Sequence, residues 1–147
     1  MSAPPRNPAF EADGRASFAR QGLMTTLGAE IVRVAHGEVD IAVDFREGLS
    51  QQHGFFHAGV TSAIADTAAG YAAFTTFEPG SGVLTVEFKI NLVAPADGER
   101  LIARGRVERA GRTLTICRAD VVVVKAGVEK PVAIGLFTMM RMANMVG

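Results

Sequence analysis

The segment from His57 to Phe74 constrains this chain most, because it is apolar around the whole circumference of a helix and carries one carboxylate, Asp66, at its middle. Between Glu47 and Glu78, Asp66 is the sole acidic or basic side chain apart from His53 and His57. A helix apolar on all sides belongs inside a protein or inside a membrane. A run of about 18 residues interrupted by Ser62, Asp66, Thr67 and Gly70 is too polar for a membrane span, so it reads as the central helix of a globular domain. Burying a carboxylate without a partner is unfavourable or makes it take up a proton. Asp66 is therefore either paired or functional.

The 147 residues suffice for one domain with a sizeable core and are short for two. Residues 1–10, rich in proline and without apolar periodicity, are expected to form a flexible N-terminal arm, and 11–147 a single domain. Acidic and basic side chains balance at zero net charge, which gives no electrostatic case for nucleic acid or an anionic membrane as partner. The single cysteine, Cys117, excludes an internal disulfide and reads as an inert buried thiol. No Cys/His cluster has metal-ligand spacing, so neither a metal nor a cofactor is expected. Residues 1–8 lack the apolar core of a secretory signal, and the expected location is cytoplasmic.

On either side of the central helix the apolar period changes to two. Residues 12–22 have the spacing of a short helix, with Phe18, Leu23, Met24 and Leu27 as its apolar contacts. Residues 31–34 and 38–45 predict a hairpin around Ala35-His36-Gly37. In its second strand Val39, Ile41, Val43 and Phe45 alternate with Glu38, Asp40, Ala42 and Asp44, so one face is expected to meet water. Residues 46–56 form a loop, containing Gln51, Gln52 and His53, that delivers the chain into the helix. Glu78-Pro79-Gly80-Ser81-Gly82 ends the helical region. A second alternation then puts Leu84, Val86, Phe88, Ile90 and Leu92 on one face, and Thr85, Glu87, Lys89 and Asn91 on the other. Strands at 100–109 and 113–125, joined at Ala110-Gly111-Arg112, and a last strand at 132–141 complete the pattern. Short connections favour antiparallel neighbours. The expected architecture is α+β, an antiparallel curled sheet wrapped around a long central helix whose small residues permit close approach.

This element order, with His57-Ala58-Gly59 opening the helix and Asp66 nine residues after the histidine, resembles the hotdog-fold acyl-CoA thioesterases. The branch it is most similar to is typified by the phenylacetate-pathway thioesterase, whose helix carries a His-Gly-Gly…Asp motif. The likeness runs from Leu27 to Met140 and takes in the lead-in 22–30, the motif 51–66 and the strand region 83–95. Two positions depart from the family pattern: alanine stands at 58 where glycine is usual, and glutamine at 51 where many members carry asparagine. Ala58 retains its backbone N–H and narrows the approach to it by a methyl group.

The resemblance implies hydrolysis of a small or medium aryl- or aliphatic acyl-CoA. Such chemistry needs a donor for the developing oxyanion and a base or nucleophile for the carbonyl carbon. Free N–H groups of Ala58 and Gly59 at the positive end of the helix dipole supply the first, with Ala58 as main donor by resemblance. Asp66 supplies the second, as general base on water or as nucleophile; both remain open, beside a structural reading in which it only satisfies Ser62 or Thr67. Gln51 would reach the thioester or orient water, Thr85 would hold the water beside Asp66, and His57 would order the helix entry. Arg112, with Arg104, Arg106 or Lys89, is a candidate for the CoA phosphates. Phe55, Phe56, Tyr71 and Phe74 are candidates for an acyl pocket or for core packing.

Gly59 and Asp66 lie seven residues apart, on nearly the same helix face but roughly 10 Å apart at ~1.5 Å per residue. Reacting groups must converge to within about 3.5 Å, so one helix cannot complete the site. The resembled family solves this by pairing two chains, and a homodimer with two composite sites is expected, with a dimer of dimers (a homotetramer) as an open alternative. Two rival readings remain: a non-catalytic acyl-CoA-binding protein, and an acyl-thioester dehydratase. The second is disfavoured because His57 and Asp66 fall roughly 180° apart around the helix.

Overall fold

The computed structural model describes residues 3–146, from the segment before the first helix to the residues after the last strand; Met1, Ser2 and Gly147 lie outside the described residues. Helices α1 (Phe10–Ala19) and α2 (Gly22–Leu27) precede β1 (Glu30–Ala35) and β2 (Glu38–Asp44). A short 3-10 turn (Glu47–Leu49) then leads to α3 (Ala58–Phe74). Four strands follow: β3 (Gly82–Leu92), β4 (Arg100–Ala110), β5 (Leu114–Lys125) and β6 (Val128–Met142). The strands form one antiparallel sheet in the order β1-β2-β4-β5-β6-β3. The chain leaves β2, crosses the concave face as α3 and returns as β3 at the far edge. This is the hotdog arrangement expected from the sequence. Among the described residues, no helix is long and apolar enough to cross a membrane.

The sheet can close on α3 because small residues meet at the contact. Ala65, Ala68, Ala69, Ala72 and Ala73 are fully buried, and the helix packs mainly on β4, β2 and β5. At the closest point a Cβ on Gly105 of β4 would stand 2.3 Å from the Ala68 carbonyl oxygen. Larger residues, among them Ile41, Leu101, Val121, Phe137 and Met139, fill the space around this seam. The C-terminal end of α3 is closed by hydroxyls, which compensate the orphan carbonyls of a last turn. Thr75 Oγ1 donates to the Ala72 carbonyl and Thr76 Oγ1 to that of Ala73, both at 2.7 Å, and the Gly37 N–H of the β1–β2 turn donates to Thr75 Oγ1.

Four local expectations change. The helix expected over 12–22 is two helices, because Gln21 is extended (ψ 109) between them. The face of β2 expected to meet water is partly closed: Ala42 is fully buried, and Asp40 is buried against Arg106, whose Nη1 lies 2.7 Å from Asp40 Oδ1. The last strand begins at Val128 instead of 132, because a register shift opposite Val121 and Val122 accommodates Pro131 within the ladder. The fourth change concerns β3. Thr85 pairs with Met139, but Glu87 pairs with Thr138, leaving Val86 as the extra residue of a β-bulge. One inserted residue exchanges the two faces. Phe88, opposite the buried Phe137 and stacked on it at 5.2 Å, therefore shares the helix-facing side with Thr85, whereas Leu84 points to the outer side with Met140.

Replacing Gly105 by alanine forces a methyl into the helix backbone and is expected to destabilise the fold by about 1–3 kcal/mol. Gly22→Ala, where nothing lies within 4 Å of the new Cβ, should stay within about 0.5 kcal/mol of wild type. Urea unfolding of the two variants measures the difference.

Candidate active site

The entry to α3 is built by the loop before it. The Phe56 N–H donates to the Ala96 carbonyl and the His57 N–H to that of Leu49, at 3.0 and 2.9 Å, fixing the direction of the chain. His57 is the N-cap: its backbone is extended (φ −64, ψ 139), and its Nδ1 accepts the Gly59 N–H at 2.7 Å. The glycine at 59 permits this cap, since a Cβ there would lie 2.9 Å from His57 Nδ1. Val60 N–H goes to the His57 carbonyl. The expectation of two free amides is thus corrected: Gly59 is engaged by the His57 side chain, and the Ala58 N–H has no acceptor among the described residues.

Ala58 opens onto a cleft of about 560 Å³ lined by Gln51, Phe55, Phe56, His57, Thr61 and the Leu92–Ala96 segment. Gln51 is fixed within its loop, where its N–H donates to the Phe55 carbonyl and its Oε1 accepts from the His53 N–H. Its Nε2 remains an uncommitted donor among the described residues. Phe55 and the buried Phe56 both line the cleft, whereas Tyr71 and Phe74 are buried core residues away from it. His53 is exposed.

Asp66 sits elsewhere, eight residues or roughly 12 Å along α3 from Ala58 at ~1.5 Å per residue. It is half-buried, and Thr85 Oγ1 donates to its Oδ1 at 2.7 Å. Ser62 and Thr67 are not its partners. The threonine reaches it because the bulge at Val86 turns Thr85 to the helix side. Burial pushes the Asp66 carboxyl above the ordinary range, and the Thr85 hydrogen bond partly opposes this. Asp66 and Thr85 share a second cavity, of about 190 Å³, with Gln21, Leu23, Ala63, Thr67, Gly70, Tyr71 and Val83.

Within one chain, then, the residues predicted from sequence form two groups. Ala58, Gln51 and His57 meet at the larger cleft, and Asp66 and Thr85 at the smaller. The cations separate from both. Arg104 is paired with Glu129 through two bonds of 2.9 and 2.8 Å, and Arg106 with Asp40, on the outer side of the sheet. Arg112 lines a hollow with Thr76, Phe77 and Arg141 beyond the C-terminal end of α3, the end opposite Ala58. Lys89 lies beside Leu136 on the outer side. Tyr71, a sequence candidate for the acyl pocket or the core, lines the cavity with Asp66; Gln21 beside it was not singled out by sequence, since it lies in a helix junction far from the motif. Cys117 is buried, its thiol pushed up to about 12 by burial.

β3 is an edge strand, hydrogen-bonded only to β6 among the described residues. On and just beyond this edge strand Phe88, Leu92 and Val93 are exposed by 48%, 54% and 53%, an apolar stretch along an unpaired sheet edge.

Comparison with known proteins gives a consistent picture. The thioesterase superfamily model matches residues 53–129. A thioesterase family protein from Silicibacter pomeroyi is 43% identical, with a TM-score of 0.89 over 94% of this chain and 99% of that one. The PaaI protein of the E. coli phenylacetic acid degradation operon shares the fold, with a TM-score of 0.82 at 18% identity over 94% of this chain and 96% of its own. The 1,4-dihydroxy-2-naphthoyl-CoA hydrolase of Listeria monocytogenes is 28% identical over 95 residues, 65% of this chain and 77% of that protein.

Because the Asp66 carboxyl is raised in the folded protein, folding favours its proton. That contribution is fully present below the ordinary carboxylate range and is lost as pH rises through the raised value. Asp66→Asn is therefore expected to melt at a higher temperature than wild type at neutral pH. The gap should close on acidification into the ordinary carboxylate range, as followed by thermal melts across pH.

Proposed function

From the premise that this chain belongs to the thioesterase superfamily, we propose that it hydrolyses acyl-CoA thioesters at composite sites formed by two copies. The observation that carries the reading is the division of the machinery: an unengaged amide at Ala58 in one cleft, and a desolvated carboxylate bonded to a threonine in another, about 12 Å away on the same helix. Pairing through the free β3 edge would cover the apolar border and bring the Ala58 end of one helix to Asp66 of the other. Two-fold pairing makes both sites equivalent.

In this reading the Ala58 N–H, at the positive end of α3, receives the carbonyl oxygen as it becomes an oxyanion. His57 holds the first turn by capping Gly59. Gln51 offers its amide N–H to the thioester oxygen or to water. Asp66 accepts a proton from the attacking water, or attacks the carbonyl carbon itself, and Thr85 positions the water or the carboxylate. The modest size of the cavity at Asp66 supports a small or medium acyl class. Arg112 would serve the CoA phosphates only if a second copy brought it near the cleft.

Thiol trapping over a panel of acyl-CoAs tests the reading. Asp66→Ala should lower kcat by about 10²–10⁴-fold. Hydrolysis that survives this change, or tight CoA binding by wild type without turnover, sinks it, and water loss from a hydroxyacyl-CoA would make the protein a dehydratase. Ala58→Pro is a sharper probe of the amide. Proline is favoured at the first helical position, and His57 already has the extended backbone that a following proline demands. The helix should survive while kcat falls by about 10²–10³-fold. Mixing the Asp66→Ala and Ala58→Pro proteins should restore about a quarter of wild-type activity, since half the pairs are mixed and each has one intact site. Sites complete within one chain predict no restoration.

A further inference from the structure

The entry to α3 depends on a residue that lines neither cleft. Arg46, just after β2, is the N-cap of the 3-10 turn, and its guanidinium reaches back to the end of α2. The last four carbonyls of a helix have no partner within it, and those of α2 are divided between two kinds of donor. The Ala29 N–H goes to the Met24 carbonyl at 2.9 Å and the Gly28 N–H to that of Thr25 at 3.1 Å, around a left-handed Gly28 (φ 71). The two that are left, Thr26 and Leu27, accept Arg46 Nη2 and Nη1, the second at 2.9 Å. Gly28 also makes room for this, since a Cβ there would lie 3.3 Å from Nη1. Arg100, Arg104, Arg106 and Arg118 face carboxylates, but Arg46 has none among the described residues. Its task is the helix end.

From this anchor a run of hydrogen bonds leads to α3. The Leu49 N–H donates to the Arg46 carbonyl at 2.9 Å, and the Ser50 N–H and Oγ both go to the Glu47 carbonyl, at 3.1 and 2.6 Å. The Leu49 carbonyl, held by that turn, accepts the His57 N–H at 2.9 Å, and Ser50 bridges to Phe56 across the loop. Building on the thioesterase reading above, we propose that Arg46 is a positioning residue: it fastens the 3-10 turn to α2 and, through the Leu49 carbonyl and His57, sets the direction of the Ala58 N–H. Helix α2 is a firm anchor, because Met24 and Leu27 are buried in the core. A guanidinium that holds two adjacent carbonyls is fixed in plane as well as in distance, which the point charge of a lysine is not. A misplacement of about 1 Å at a reacting group lowers the rate on the order of 10²-fold, so a slack anchor shows in turnover. Arg46 is itself exposed, and its replacement leaves neither a buried charge nor a cavity behind.

The test measures kcat and KM over a panel of acyl-CoAs in Arg46→Met and Arg46→Lys, each made also in the Ala58→Pro background, with thermal melts to confirm folding. Arg46→Met should lower kcat by about 10–10²-fold and leave KM within about twofold, because Arg46 lines neither cleft. Arg46→Lys, which can hold one carbonyl at a time, should recover part of that loss. Where Ala58→Pro has already removed the amide there is nothing left to direct, and Arg46→Met should lower kcat by less than about threefold further. Amide hydrogen exchange at His57 should quicken by about tenfold in Arg46→Met, while that of Thr75 at the other end of α3 stays unchanged. Wild-type kcat in a folded Arg46→Met, a change confined to KM, an equal loss with and without the Ala58 amide, or unaltered exchange at His57 overturns the assignment and leaves the hydrolase reading intact. If Arg46→Met does not fold, Arg46→Lys carries the same comparisons. Absence of turnover by wild type on every thioester overturns both.

Discussion

The close contact between Gly105 of β4 and the Ala68–Ala69 backbone of α3 is the constraint on which the rest of the molecule depends. A helix whose contact surface is alanine can lie almost against the strands, and only then does a six-stranded sheet curl far enough to embrace it. The curl brings the β3 edge against the helix, while Phe88 and Leu92 on that strand stay exposed. On the same helix burial desolvates the Asp66 carboxylate beside the smaller cavity.

The Asp66–Thr85 bond couples this helix to the edge strand, and it exists because of one extra residue in β3. Without the bulge, Thr85 would share a face with Glu87 and Lys89 and point away from α3. The insertion also keeps Phe88 and Ile90 on the inner face beyond it, so a polar group and an apolar run are both directed inward within one strand. Bulges commonly re-aim a side chain beside an active site, and the position of this one gives the carboxylate a hydroxyl partner where a cation would have neutralised it.

Much of this was legible in the sequence, for identifiable reasons. The central helix, its carboxylate and the antiparallel strands follow from periodicity and from turn residues, which are local properties. The motif around His57 gave the helix entry and the location of Ala58. Other features were not local. The alternation from Leu84 to Leu92 reads as a regular strand, and nothing in its residue types marks Val86 as the insertion; only the pairing partners on β6 reveal it. The Gly59 amide looked free because backbone geometry, not residue type, decides whether His57 folds back onto it. Arg104 and Arg106 looked available because their carboxylate partners come from β6 and β2, distant in sequence. Gln21 was invisible for the same reason, its neighbour Tyr71 being 50 positions away.

The arginines of the outer sheet side have a consequence for encounter kinetics. Arg100 is held by Glu30 and Asp44, Arg104 by Glu129, Arg106 by Asp40, and Arg118 by Asp120. Charges interleaved at such short range cancel within a Debye length, which is about 8 Å at physiological ionic strength. The convex side therefore projects almost no field into solution, and a polyanionic ligand drifting past it is neither drawn in nor turned aside. On the proposed reading, capture would depend on contact at the mouth of the cleft, and long-range steering by that surface would contribute little to its frequency.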